Sequence, residues 1–219
     1  RIHAFTIYTF GTGGVASFDA APGLTIRFEA PSTRGTTALL LRPEAAPGTC
    51  PGELAPLAPP FALDFPLEGY ARPLQCSFDP AHGAGLFRWE GRAGWRCAGV
   101  PGRNGSMVDV PMSGTYAVLA DSKAPVLKRV GFTRRGPESG FFKSRLMFVS
   151  VHEEGTGVDP DATAAYLNGT RVVCEYDQYR SRVTIPVPRS FPAGAARLRV
   201  EIADLAGNRS VGEFNCVIN

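Results

Sequence analysis

Apolar and polar residues alternate along most of this chain with a period of two. In Thr25-Ile-Arg-Phe-Glu29 the apolar Ile26 and Phe28 fall on one side and Thr25, Arg27 and Glu29 on the other, the pattern of a half-buried strand. Similar runs occupy Thr37 to Leu41, Phe61 to Phe65, Pro73 to Phe78, Gly85 to Trp89, Gly94 to Cys97, Met107 to Val110 and Thr115 to Leu119. That predicts roughly eight strands before residue 122, since no stretch sustains a helical period. Between Arg42 and Pro60 proline and alanine dominate, and a long surface loop is expected there.

A boundary follows at Asp121-Ser-Lys-Ala-Pro125, where a strand ends and proline prevents its continuation in a central ladder. Beyond it, strands are expected at Val126 to Phe132, Phe141 to His152, Thr163 to Leu167, Arg171 to Tyr176, Ser181 to Val187, Ala196 to Ile202 and Val211 to Val217. Strands at this spacing fit an immunoglobulin-like sandwich. Asn168-Gly169 between two of them is the signature of a type I′ hairpin, which needs positive φ at both central residues. Gly207-Asn208 and Phe191-Pro-Ala-Gly194 mark further corners. The expected fold is all-β: two tandem β-sandwich domains, residues 1–122 and 123–219, the second immunoglobulin-like.

Composition supports this reading. Gly 25 and Pro 19 together make about a fifth of the 219 residues, which suits short strands and tight turns. Hydrophobic content of 44% and charged content of 20% belong to an ordinary globular protein. The longest apolar stretch, Leu54 to Leu67, is short and broken by prolines, so no membrane span is expected. A net charge of +3 falls short of the basic patch that nucleic acid requires. The chain starts at Arg1 with neither methionine nor an apolar leader, as expected of a piece trimmed from a larger product.

Gly85-Leu-Phe-Arg-Trp89, Gly94-Trp95 and Ser113-Gly-Thr-Tyr-Ala-Val-Leu-Ala-Asp121, followed by Ala124-Pro-Val126, resemble a non-catalytic β region that follows the catalytic domain in some bacterial lysostaphin-like peptidoglycan metallopeptidases. Gly157-Val-Asp-Pro-Asp161, Leu167-Asn-Gly169, Glu175-Tyr-Asp177, Val183-Thr-Ile-Pro186 and Ala203-Asp-Leu-Ala-Gly-Asn208 resemble bacterial immunoglobulin-like modules, which also occur in adhesins. The resemblance covers roughly residues 85–219. It implies an exported, extracellular, cell-surface or periplasmic β-sandwich pair and carries over no catalytic residue.

Motifs for chemistry are sparse. The histidines are His3, His82 and His152, remote from one another, and Val151-His-Glu-Glu154 lacks the second histidine of a His-Glu-x-x-His helix. No Gly-x-Ser-x-Gly elbow occurs, and Gly11-Thr-Gly-Gly14 lacks the rest of a phosphate loop. Asp159 and Asp161 in one loop, with Asp204 and Asn208 in another, offer oxygen ligands of the kind calcium takes, although turn chemistry accounts for the same residues. Trp89 and Trp95 are candidates for stacking on a sugar, with a core role preferred. Lys123, Lys128, Arg129, Arg134, Arg135, Lys143 and Arg145 read as a charged strand edge before they read as an anion-binding face. Asn104, Asn168 and Asn208 stand in glycosylation sequons that also look like turns.

Five cysteines without metal-ligand spacing suggest disulfides in an oxidising compartment. Cys174 with Cys216 is the pair expected in the second domain, and one pair among Cys50, Cys76 and Cys97 in the first, with Cys76 and Cys97 as candidates. The expected function is a non-enzymatic accessory or structural module of an exported bacterial envelope or surface protein, with an adhesin or carbohydrate-binding module as the alternative and a hydrolase behind both. Its partner is expected to be a protein or an envelope polymer, self-association remaining open. No cofactor is expected apart from the calcium option.

Overall fold

A computed structural model describes residues 6–10, 13–22, 24–30, 37–52, 54–66, 72–78, 83–101, 107–133, 145–188 and 190–218. Apart from a single-turn 3-10 helix at Gly91–Ala93, every regular element is a β-strand, and no helix among the described residues is long and apolar enough to cross a membrane. The chain divides into two compact units, Arg1–Ser122 and Lys123–Asn219.

The first unit holds β1 (Thr6–Phe10), β2 (Gly14–Ala21), β3 (Leu24–Ala30), β4 (Thr37–Pro43), β5 (Leu54–Pro56), β6 (Phe61–Asp64), β7 (Leu74–Ser77), β8 (Ala84–Trp89), β9 (Trp95–Gly99), β10 (Val108–Val110) and β11 (Gly114–Asp121). A large sheet runs β1-β4-β6-β11-β8-β9, with β5 pairing the far end of β11, and a four-stranded sheet runs β10-β7-β3-β2. All pairs are antiparallel. Strict alternation in β3 sends Leu24, Ile26, Phe28 and Ala30 inward. On its outer face Glu29 faces Gln75, which faces Asp109 and donates from Nε2 to Asp109 Oδ1 at 3.0 Å. Between the sheets Phe61 anchors an aromatic cluster, its ring stacked on Tyr116 at 6.4 Å and edge-on to Phe18 and Phe28. Tyr116 Oη donates to Met112 O at 2.6 Å, a tether of the tyrosine-corner type that pins the chain where it enters β11.

Alternation breaks down in β8 and β11, where four consecutive residues are buried. The cause is a second apolar layer. Leu86, Tyr116 and Val118 face the main core, whereas Phe87, Ala117 and Leu119 face the other way and form a separate cluster with Leu54 and Trp95. The Arg42 to Pro60 segment covers that face. It is therefore a strap tied to the sheet, not a solvated loop: β5 pairs Leu54 to Asp121, and Leu57 N–H donates to Val118 O at 3.0 Å.

The second unit holds β12 (Val126–Thr133), β13 (Arg145–His152), β14 (Val158–Leu167), β15 (Thr170–Val172), β16 (Glu175–Asp177), β17 (Arg182–Val187), β18 (Gly194–Asp204) and β19 (Arg209–Ile218). Its sheets run β12-β13-β17-β16 and β15-β14-β18-β19. Lettered in chain order this is A-B-E-D against C′-C-F-G, an immunoglobulin-like connectivity. Met147, Val149, Ile185, Leu198, Val200 and Ile202 fill the space between the sheets. The expected single strand from Arg171 to Tyr176 is two, β15 and β16, which belong to opposite sheets. Asn168 (φ 48) and Gly169 (φ 82) form the two-residue turn from β14 to β15 with positive φ at both positions.

Candidate functional site

His152 ends β13, with Nε2 3.4 Å from Glu154 Oε1, a polar residue at a strand end. His3, His82, Gly11, Thr12, Asn104, Arg134, Arg135 and Lys143 lie outside the described residues. Lys123, Lys128 and Arg129 are exposed. The latter two lie at a bulge in β12, an edge strand of its sheet. Charge and bulge together guard that edge against pairing with another chain.

The acidic residues expected in two loops separate into two groups: Asp159 and Asp161 lie within β14, at its bulge, and Asp204 ends β18. Asp204 is 1% exposed, and both its carboxylate oxygens accept from Asn208, Oδ1 from the backbone N–H and Oδ2 from Nδ2, each at 2.8 Å. Asp204 N–H returns a bond to Asn208 O at 3.0 Å, closing the turn between β18 and β19. Asp159 Oδ1 accepts from the Asp161 N–H at 2.9 Å, a local turn bond of the kind aspartate favours. Register sets Val158 opposite Asp204 and Asp159 opposite Ala203, so Asp159 and Asp204 leave opposite faces of the sheet. Glu153, which the sequence reading passed over, brings a carboxylate oxygen within 4.8 Å of one on Asp204. Its signal was its place just past β13 and before Gly155, whose N–H donates to Glu153 Oε1 at 2.7 Å. The calcium option thus narrows to the Asp204 end. Occupancy there would raise Tm on adding Ca²⁺; no shift at millimolar concentration would exclude it.

Trp89 and Trp95 meet edge to face, centroids 5.4 Å apart at 68°. Trp95 is 3% exposed, and the half-buried Trp89 lies beneath the strap, where a side-chain carbon added at Gly48 would collide with its ring. Sugar stacking needs an open ring face, so this pair is a packing element. Beside Trp95 a cavity of about 390 Å³ opens between the strap and the outer face of β11.

No disulfide joins the five cysteines, which corrects the expected pairings. Cys76 lies within the four-stranded sheet between Phe28 and Val108, buried in the main core, whereas Cys97 sits on β9 opposite Phe87 and packs on the outer-face cluster. Cys174 Sγ lies 3.8 Å from Thr163 O and Cys216 Sγ 3.4 Å from Ala196 O, each thiol donating to a carbonyl on a different strand. Burial pushes Cys76 up to about 12, and it pushes Tyr116 up to about 12 against the opposing pull of Arg88. Both groups are neutral acids with raised values. The stability they add is present below their ordinary values of about 8.5 and 10 and is lost as pH climbs towards 12. Two results are expected: iodoacetamide leaves Cys76 unmodified in the folded protein at pH 8, and the urea midpoint of the first unit falls steadily above pH 9.

The sequence matches no protein-family model and no curated protein.

Proposed function

We propose that this chain is a non-enzymatic module of an exported bacterial surface or envelope protein, contacting the envelope through the turn between β16 and β17. The observation that supports this reading is Tyr179, 92% exposed at the tip of that turn. Hydrogen bonds close the turn that carries it. Arg180 N–H donates to Asp177 O at 3.3 Å and to Oδ1 at 3.2 Å, and Arg180 Nη1 meets Oδ2 at 3.0 Å. The hydrogen bond from Arg180 holds the Asp177 carboxyl below its usual range. An exposed tyrosine on a hydrogen-bonded turn supplies contact area at little side-chain entropic cost, as in binding loops generally.

Co-sedimentation with insoluble peptidoglycan tests the reading. The purified chain is expected to sediment with the polymer, Tyr179→Ser to weaken the affinity about tenfold, and Tyr179→Phe to retain most of it. Failure of the wild-type chain to sediment, or sedimentation unchanged in Tyr179→Ser, would remove this contact from the reading. The adhesin alternative uses the same turn with a host protein or glycan as the partner; a glycan array separates the two.

A further inference from the structure

We propose that the cavity between β9 and β10 of the first unit is a binding site for a small zwitterion with an apolar body, an α-amino acid, its carboxylate on Arg96 and its ammonium on Asp109. The cavity measures about 310 Å³, at the lower end of the ~300–1,000 Å³ of small-molecule sites. Among the described residues, Arg88, Glu90 and Arg96 line it from the β8–β9 hairpin and Asp109 from β10, beside the apolar Ala98, Pro111 and Met112. The path of the chain brings these charges together. A side-chain carbon on Gly99 would stand 2.8 Å from Val108 Cγ1, so glycine there admits the close approach of β10, a strand of the other sheet.

The second observation is the pattern of charge. Arg88 and Arg96 occupy directly opposite positions on β8 and β9, so two guanidinium groups leave the same face of the ladder side by side, an arrangement that destabilises a sheet. Glu90 Oε1 meets Arg88 Nη2 at 2.5 Å and neutralises one of them. Arg96 meets no carboxylate among the described residues. Asp109 meets no cation among them either, since its Oδ1 accepts from the neutral Gln75 Nε2 at 3.0 Å. The two residues are opposite in sign and line one cavity, yet they do not pair with each other. A ligand that carries both charges satisfies both at once, its carboxylate matching the guanidinium fork and its ammonium meeting Asp109. A plain anion would face the Asp109 carboxylate, and a plain amine would face the arginines, so the pattern selects a zwitterion over either. Met112, 43% exposed, offers apolar surface to its side chain together with Pro111 and Ala98. This site stands apart from the Tyr179 turn and does not depend on the envelope reading.

The test uses three probes of one skeleton: L-leucine, 4-methylpentanoate, which lacks the ammonium, and 3-methylbutylamine, which lacks the carboxylate. Backbone amide shifts in an NMR titration of the whole chain read both the affinity and the place of binding. Leucine is expected to bind the wild type saturably, moving amides of β9 and β10, and each of the other probes to bind about fivefold more weakly, the scale of one solvent-exposed ion pair. Arg96→Gln should weaken leucine about fivefold without weakening 3-methylbutylamine. Asp109→Asn keeps an acceptor for Gln75; it should weaken leucine about fivefold without weakening 4-methylpentanoate. Both positions are exposed, so the urea midpoint of each variant is expected to match the wild type. Absence of saturable shifts in the wild type, or shifts confined to other strands, would overturn the site. Leucine binding unchanged in either variant, or either single-charge probe binding as tightly as leucine, would overturn the zwitterion as its ligand.

Discussion

Phe61→Ala is expected to destabilise the first unit by about 3–5 kcal/mol, the range for emptying a fully buried aromatic site. Phe61 is 0% exposed and touches aromatic rings from both sheets, Phe18 and Phe28 on one side and Tyr116 on its own. Those pairs add to the loss of apolar burial, and rigid ladders on both sides of β6, with β4 and β11, keep the cavity from collapsing. Urea unfolding followed by tryptophan fluorescence reads the effect, because Trp89 and Trp95 both belong to this unit. Val217→Ala, at a 59% exposed position of the second unit, should change the same transition by less than about 0.5 kcal/mol. A loss below about 1 kcal/mol for Phe61→Ala would mean that the aromatic cluster does not hold the two sheets together.

Asp204→Ala should destabilise the second unit by about 3 kcal/mol. The carboxylate of this buried residue accepts two part-buried bonds from Asn208, each charge-assisted bond contributing about 1.5–3 kcal/mol, and removal takes the acceptor from both Asn208 donors. Asp161→Ala, at an exposed position where the residue contributes only its N–H to Asp159, should cost less than about 0.5 kcal/mol. Hydrogen exchange in the β18–β19 ladder reads the difference. Equal, small effects of the two substitutions would return Asp204 to the standing of an ordinary turn residue.

Much of the fold was legible because period-two alternation needs only one buried face. β3 and β17 show it throughout, and Asn168-Gly169 announced its hairpin by the positive φ that its two residues accept. What escaped notice lay where a second surface intervenes. Phe87, Ala117 and Leu119 read as mere continuation of apolar runs, and only the three-dimensional path of the strap shows that they face a separate cluster. Leu54, within the proline-rich segment, was the available signal, since a solvated loop has no need of it. β15 and β16 were merged because a strand that changes sheets keeps its polarity pattern across the break at Val173 and Cys174. The cysteines misled for a related reason: burial in an apolar environment explains Cys76 and Cys216 without any bridge, so cysteine content does not point to an oxidising compartment. Tyr179 and Glu153 carried too little sequence context to be singled out.

As proposed, this chain is a contact module and not a catalyst. Incubating the purified chain with insoluble peptidoglycan and measuring soluble fragments released into the supernatant tests that most directly. Sedimented protein and a supernatant indistinguishable from polymer alone are expected; time-dependent release of fragments, in proportion to the protein added, would overturn the proposal.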